Sequence, residues 1–265
     1  MPLAQRFSIA LRAVPRMSLA DAFWYALLAG AVWVLLYVCL RQAWAHRKVV
    51  PKYPSRKQIA WEILLSLRSA LVFGLVGGFV VFAGYSGWTR MYIDIDRYGW
   101  PWLAASIAAA VVLHDTYFYW THRLMHNRWL FKRAHQVHHW SISPSPWAAY
   151  SFSTLEAFVQ AGIGPLLVFV LPMHPAAFLT FMLWQISFNV LGHCGYEIFP
   201  TRFLASPLGK LLNTPTHHAL HHESFNANYG LYFNVWDRLM GTNDPNYESR
   251  FAQVSGPRRP AERPV

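Results

Sequence analysis

The chain has 265 residues, of which 54% are hydrophobic and 13% are charged. A soluble globular domain carries about 25% charged residues, so this composition indicates a membrane protein or an unusually apolar enzyme. It excludes a disordered chain, which would be poor in apolar residues and rich in charge. The chain has 2 cysteines, Cys39 and Cys194, which excludes a disulfide-rich scaffold.

The formal net charge is +11 at pH 7. A basic chain is typical of nucleic-acid binding or of basic loops beside membrane helices. Here the basic residues are concentrated between apolar stretches, which favours the second interpretation. We therefore expect a membrane-bound protein that has no nucleic-acid partner.

Five apolar stretches approach or exceed the roughly 20 residues that a helix needs to cross a bilayer. They are residues 22–40, 70–88, 100–120, 147–171 and 175–194. These stretches predict an all-α integral membrane bundle of about four or five membrane helices, extending over residues 21–254. Residues 1–20 carry three arginines and are compatible with an interfacial helix. Residues 255–265 are rich in Pro and Arg and predict a disordered tail.

The distribution of charge predicts the orientation of the bundle. The loop of residues 41–57 contains several basic residues and no acid, so the positive-inside rule places it in the cytoplasm. Alternate crossings then place residues 123–139, His193 and the whole C-terminal part on that same side. We expect these segments to form a cytoplasmic helical cap.

The chain has 13 histidines, and their spacing is more informative than their number. On a helix, residues three and four positions apart share a face. Histidines recur at this spacing in three clusters, and a further histidine lies at the end of the fifth stretch. Imidazole is the commonest metal ligand in proteins. The predicted ligands are His122, His126, His135, His138, His139, His193, His218, His221 and His222.

These nine imidazoles are too many for one ion, so we predict a dimetal site with four or five nitrogen ligands for each ion. His114 and His217 could complete the set. Spacing alone leaves the metal open: two redox metals suit dioxygen activation, whereas zinc would suit a membrane hydrolase. A non-catalytic metal transporter is a further alternative. Its ligands should lie at the membrane midplane, whereas these histidines gather at one membrane face.

The residues around the histidines add further motifs. They include His114-Asp-Thr-Tyr-Phe-Tyr-Trp-Thr-His-Arg-Leu-Met-His126, His135-Gln-Val-His-His139, His217-His-Ala-Leu-His-His222, Asn228-Tyr-Gly230 and Trp236-Asp-Arg-Leu-Met-Gly-Thr242. Over residues 113–242 the chain resembles the fatty acid hydroxylase and sterol desaturase superfamily. The resemblance implies a membrane-bound, non-haem di-iron oxygenase that uses O2 to hydroxylate or desaturate a lipid.

The resemblance also implies the cofactors and partners. We expect two iron ions, which zinc can replace in purified protein, bound by the nine histidines above. The chain shows no dinucleotide fingerprint and no haem-binding motif. Electrons should therefore come from a separate donor protein of the cytochrome b5 or ferredoxin type, and the substrate should be a sterol, a fatty acyl chain or a related lipid.

Several other side chains are candidates for supporting roles. Asp115 and Asp237 could hold ligand imidazoles by hydrogen bonds, and Asn189 lies where some members of the superfamily carry a histidine. Glu156 lies inside the fourth apolar stretch, where an acid is a functional candidate by default. An apolar passage should lead the lipid from the bilayer to the metals. Its predicted walls are Phe152, Leu155, Ser187, Phe188 and Leu191.

Overall fold

The computed structural model describes residues 1–257, and within that range the chain is helical with no β-strand. Residues 258–265, most of the predicted disordered tail, lie outside the described residues. The predicted all-α class is confirmed. The helices are α1 (Leu3–Trp33), α2 (Arg56–Tyr85), α3 (Gly99–Met125), α4 (Phe131–Ala134), α5 (Thr154–Ala161), α6 (Ile163–Val170), α7 (Pro175–Gly192), α8 (Pro207–Leu211), α9 (Pro215–Ser224), α10 (Val235–Leu239) and α11 (Tyr247–Ser255).

The first two helices form the most extensive helix pair of the bundle. A π-helical turn, Val34–Cys39, extends α1 directly. A side chain at Gly74 of α2 would overlap Ser18 and Val14 of α1, so the two backbones lie in close contact. Residues 1–20 are continuous with the first apolar helix, and their place at a membrane surface stays a prediction.

Within residues 1–257, three helical segments are long and apolar enough to cross a membrane: Leu3–Cys39, Arg56–Tyr85 and Pro175–Gly192. The third predicted stretch is the long helix α3, which runs on to Met125. The fourth stretch differs from expectation because it is not one helix. A 3₁₀ turn over Pro146–Tyr150 is followed by α5 and α6, which are separated at Gly162. The predicted four or five crossings and their orientation stay predictions.

The region after α7 closes one end of the bundle. Helix α9 packs against the C-terminal part of α7 and against α11. Two isolated β-bridges, Lys48–Tyr196 and Leu212–Phe233, join this region to neighbouring segments of the chain. As a result, the ends of α3 and α7, the segment 131–140 and α9 converge at one end of the bundle.

Candidate metal centre

The structure brings all nine predicted histidine ligands together, in two adjacent groups. In each group, the potential ligand atoms lie within 4.8 Å of one another. The groups adjoin, because the ring centroids of His139 and His222, which belong to different groups, are 4.8 Å apart. The five-histidine group contains His122, His126, His135, His139 and His221. The four-histidine group contains His138, His193, His218 and His222.

The local backbone explains how neighbours in sequence separate into two groups. His138 and His139 lie in a single 3₁₀ turn, His138–Trp140, and their rings diverge at an interplanar angle of 85°. His221 and His222 are consecutive residues of α9, and their rings diverge at 82°. Each pair of adjacent histidines therefore supplies one ring to each group.

Backbone carbonyl oxygens fix the orientation of three rings. Nδ1 of His122 is 2.8 Å from the carbonyl oxygen of Tyr229, Nδ1 of His193 is 2.8 Å from that of Asn189, and Nδ1 of His221 is 2.7 Å from that of Ala227. A carbonyl oxygen can only accept a hydrogen bond, so each Nδ1 carries the proton. Each Nε2 of these neutral rings is left with a lone pair for a ligand.

A fourth ring is held by a carboxylate. Nδ1 of His135 is 2.7 Å from Oε1 of Glu156, and both side chains are buried. Sequence reasoning identified Glu156 as an acid inside an apolar stretch but not its partner, which lies 21 residues earlier. A ligand imidazole that donates to a carboxylate is a recurrent arrangement at metal sites, because the carboxylate orients the ring and raises its basicity.

The remaining nitrogens face one another at short distances. Nε2 of His193 lies 3.1 Å from Nε2 of His138 and 2.9 Å from Nε2 of His218. Nε2 of His122 is 2.9 Å from Nε2 of His135. With the His135 proton on Nδ1, facing Glu156, the last pair consists of two acceptors and no proton. Two nitrogens that ligate one ion at about 2.1 Å, at a right angle, lie about 3.0 Å apart. The spacing of these atoms thus fits a cation in each group.

Burial keeps the rings in the form that binds a metal. Burial lowers the pKa of His193 to about 4. Burial and the neighbouring imidazoles lower the pKa of His138 and of His218 well below the usual value. Metal ligation requires the neutral imidazole, so these rings are ready to bind a metal ion at neutral pH without first losing a proton.

The two further candidate ligands, His114 and His217, lie outside both groups. Nδ1 of His114 is hydrogen bonded to the hydroxyl of Tyr232 at 2.8 Å. Nε2 of His217 lies 3.3 Å from Oδ2 of Asp237. Whether they bind metal stays a prediction, but each of them has a polar neighbour within the protein.

The two predicted supporting aspartates hold backbone segments around the histidines. Oδ1 of Asp115 accepts the N–H groups of Tyr232 and Phe233, at 2.8 and 3.1 Å. Asp237 accepts the N–H groups of Tyr229 and Gly230, at 2.9 and 2.7 Å. Asp237 thereby positions the carbonyl oxygen that holds His122, an indirect link that spacing alone could not predict.

The electrostatics of Asp237 agree with this role. Burial raises the pKa of this carboxyl group. His217, Thr242 and the Gly230 N–H lower it by more than burial raises it, so the pKa of Asp237 lies below its usual value. Asp237 is therefore ionised at neutral pH. An ionised carboxylate accepts stronger hydrogen bonds than a neutral oxygen, which strengthens its hold on the turn.

The predicted passage residues occupy different places. Phe152 lines an apolar cavity of about 260 Å³ between the helices, as does Asn189, which was predicted as a supporting residue. Phe188 and Leu191 line a smaller cavity of about 60 Å³ beside His193 and His218. Asn189 also donates to the carbonyl oxygen of Ala149 at 2.8 Å.

The other two passage candidates line neither of these cavities. Leu155 is exposed, and the hydroxyl of Ser187 donates to the carbonyl oxygen of Leu183 at 2.7 Å. The larger cavity is the better candidate for a passage. Among its walls, Phe118 and His114 were not predicted as passage residues. Both lie on α3, one and two helical turns before His122, and that spacing could have identified them.

Comparison with known proteins agrees with this geometry. The model of the fatty acid hydroxylase family matches residues 107–242. The chain is 34% identical over 178 residues to a Delta(7)-sterol 5(6)-desaturase of Gibberella zeae, an alignment that covers 64% of this chain and 54% of that protein. It is 28% identical over 217 residues to the lathosterol oxidase of Mus musculus, covering 79% and 71%.

A third relative is the lathosterol oxidase of Homo sapiens, which is 26% identical over 227 residues; the alignment covers 82% of this chain and 74% of that protein. The chain thus spans about half the length of the Gibberella relative and more of the mammalian ones. No solved structure matches the chain.

Proposed function

The chain belongs to the fatty acid hydroxylase family, and on that premise we propose that it is a membrane-bound oxidoreductase that hydroxylates or desaturates a lipid. The observation that carries the proposal is the pair of adjacent, buried, all-histidine groups at one end of an apolar helical bundle. Relatives named as sterol desaturases and lathosterol oxidases support oxidation of a lipid rather than hydrolysis or metal transport.

We propose that the two histidine groups hold two iron ions. Iron accepts imidazole ligands, and a pair of iron ions would supply the activation of O2 that an unactivated C–H bond requires. The protein supplies neutral rings held by Tyr229, Asn189, Ala227 and Glu156. Because four of the nine rings are anchored through Nδ1, little reorganisation is needed when a metal ion enters.

The surroundings of the histidines would protect the reaction from water. The rings of Phe118 and Phe152 lie 4.9 Å from His122 and 5.3 Å from His138, between the histidine groups and the apolar cavity. An apolar passage on this side admits a lipid and excludes water, which limits side reactions. The lipid's C–H bond would therefore approach the metals from the membrane side.

Electrons would come from a separate donor protein. Exposed basic side chains lie at the end of the bundle that holds the histidines, among them Lys52, Arg56, Lys57, Lys132 and Arg133. An acidic donor would be attracted to such a surface, and its association would weaken as salt is added. Under the predicted orientation this surface and the metal centre face the cytoplasm.

The test uses the full chain, purified in detergent without chelators or added zinc and reconstituted into lipid vesicles. We expect bound iron, and lipid-dependent consumption of O2 once a reductant is supplied. His139→Ala should abolish the oxidised lipid product and reduce bound iron. His174→Ala is the matched control, because His174 lies at the opposite end of α7 from His193 and caps that helix. Bound zinc with lipid hydrolysis, or an active His139→Ala variant, would overturn the proposal.

A further inference from the structure

The large cavity is apolar except at a few positions. Its walls come from six helices, α1, α2, α3, α5, α6 and α7. The end of the cavity nearest the histidine groups is lined by Phe118, Phe152 and Asn189. Polar side chains from three different helices also line it: Asp21 of α1, Gln160 of α5 and Gln185 of α7. No part of the metal centre requires these three side chains.

Two of these polar groups lack a partner in the protein. Gln160 is 8% exposed, and its Nε2 has no hydrogen-bond partner. Asp21 makes no hydrogen bond or ion pair with any of residues 1–257, although it lies near the middle of the apolar segment Leu3–Cys39. Gln185, in contrast, donates to the hydroxyl of Tyr150 at 2.6 Å.

Unpaired polar groups at such positions are costly. An intramembrane acid marks a functional site by default, and a buried amide N–H without an acceptor costs the free energy of its desolvation. A ligand that both donates to a carboxylate and accepts from an amide would satisfy Asp21 and Gln160 together. A hydroxyl group is the smallest group that does both.

The position of the polar groups fits such a ligand. Gln160 follows Glu156 by four residues on α5, and Gln185 precedes Asn189 by four residues on α7. Four residues of helix correspond to about 6 Å. Gln160 and Gln185 therefore lie about one helical turn along their helices from the residues that hold His135 and His193, and Asp21 lines the same cavity.

We propose that Asp21 and Gln160 bind the hydroxyl group of an otherwise apolar lipid in this cavity, with Asp21 accepting the hydroxyl proton and Gln160 donating to its oxygen. This proposal rests on the proposed function, since it names the substrate class of the same site. The apolar walls admit the lipid's hydrocarbon, and the hydroxyl fixes its register against the metal centre. Sterols and long-chain alcohols share this chemistry.

The test measures the rise in thermal midpoint of the purified full chain as lipid is added, which reports affinity. Lathosterol and octadecan-1-ol are each compared with their methyl ether, which keeps the oxygen but cannot donate. The wild type should bind at least one alcohol about tenfold more tightly than its ether. The alcohol with the larger preference identifies the source of the hydroxyl.

Two variants separate the two roles. Asp21→Leu should abolish the preference for the alcohol, because only the alcohol has an O–H group that can donate to the Asp21 carboxylate. Gln160→Leu should weaken alcohol and ether alike and keep the preference. Thr180→Val, which removes an exposed hydroxyl of α7 outside the cavity, should change nothing. Equal binding of alcohol and ether by the wild type, an unchanged preference in Asp21→Leu, or no binding of either lipid would overturn the proposal.

The outcomes also separate this proposal from the proposed function. If the wild type binds iron and oxidises a lipid but shows no preference for a hydroxyl, this proposal alone is wrong. If it shows the preference but binds no iron and oxidises no lipid, the proposed function is wrong and the hydroxyl site stands as a lipid-binding site.

Discussion

Glu156 on α5 holds His135, 21 residues earlier in the chain, through a 2.7 Å contact between Oε1 and Nδ1. The other carboxylate oxygen, Oε2, has no partner in the protein. Ser153 caps the start of the same helix: its hydroxyl accepts the Glu156 N–H at 3.1 Å and donates to the carbonyl oxygen of Ala134 at 2.6 Å. The start of α5 and the segment that carries His135 are thus tied to each other at two points.

This relationship predicts the effect of removing the carboxylate. Glu156→Leu should weaken metal binding about 10- to 100-fold, because an unsupported His135 ring loses its orientation and basicity. Glu156→Gln should lose less, since its amide oxygen can still accept from Nδ1. Metal titration of the purified protein measures both effects. Glu248→Gln, a change at an exposed site on α11, is the control, and wild-type affinity in Glu156→Leu would contradict the assigned role.

A second prediction concerns the turn that follows α9. A Cβ atom at Gly230 would lie 2.8 Å from Asn213 Nδ2, from Asp237 Oδ2 and from the Phe233 carbonyl oxygen. Gly230→Ala should therefore destabilise the fold by about 1–3 kcal/mol, and should also lower metal content by displacing Tyr229 from His122. Thermal unfolding and metal analysis measure these effects.

The control for that change is Gly84→Ala in α2. The nearest atom to a Cβ there, Thr89 Oγ1, is 3.9 Å away, and alanine favours a helix by up to about 1 kcal/mol over glycine. This variant should be as stable as the wild type or more so. Equal stability of the Gly230→Ala and Gly84→Ala variants would contradict the tight packing of the turn.

A third prediction separates two neighbouring histidines. His218→Ala should lower the metal content, since Nε2 of His218 lies 2.9 Å from Nε2 of His193 inside the four-histidine group. His217→Ala should keep the metal and lose stability instead, because His217 contacts Asp237 and lies outside both groups. Metal analysis after gel filtration tests this, and loss of metal from both variants would make His217 a ligand.

A fourth prediction concerns Lys48, which lies outside the apolar segments and is buried. Its Nζ lies 5.5, 5.5 and 5.3 Å from the ring centroids of Tyr37, Tyr53 and Tyr196. Burial lowers the pKa of Lys48 to about 8, whereas an unfolded lysine titrates near pH 10.4. Between these values the unfolded chain binds more protons, so the Lys48 contribution to stability rises with pH.

The comparison of the wild type with Lys48→Met isolates this contribution, because methionine does not titrate. The stability of the variant relative to the wild type should decline as the pH rises from 7.5 to 9.5, whichever protein is more stable at pH 7.5. Thermal unfolding at a series of pH values measures the difference. A difference that does not change with pH would show that Lys48 titrates as an exposed lysine does.

The histidine spacing predicted eight members of the two groups, because residues three and four apart share one face of a helix. The ninth, His193, was predicted from its position at the end of the fifth apolar stretch. The sequence did not predict how the nine histidines are divided between the two groups. His138 joins His193, His218 and His222 rather than its neighbours His135 and His139. That division depends on a 3₁₀ turn and on packing between distant segments, and neither leaves a periodic signal in the sequence.

Hydropathy predicted where the apolar segments lie, but it did not predict whether each segment forms one continuous helix. Residues 147–171 form one apolar stretch in the sequence, but the structure divides it into a 3₁₀ turn and two helices, α5 and α6, which are separated at Gly162. Hydropathy does not predict such a break, because α5 and α6 belong to one apolar stretch. Glu156 and Asp237 were recognised as candidates, but their partners were not, since those contacts span the chain and depend on the assembled fold.

The central claim is that the histidine groups form two metal sites in one chain. The most direct measurement is anaerobic titration of the metal-free full chain with ferrous iron, with bound iron counted per chain. We predict two ions for the wild type and one for His193→Ala, because the four-histidine group loses its central ring while the other group stays complete. A single ion in the wild type, or two ions in His193→Ala, would contradict the account.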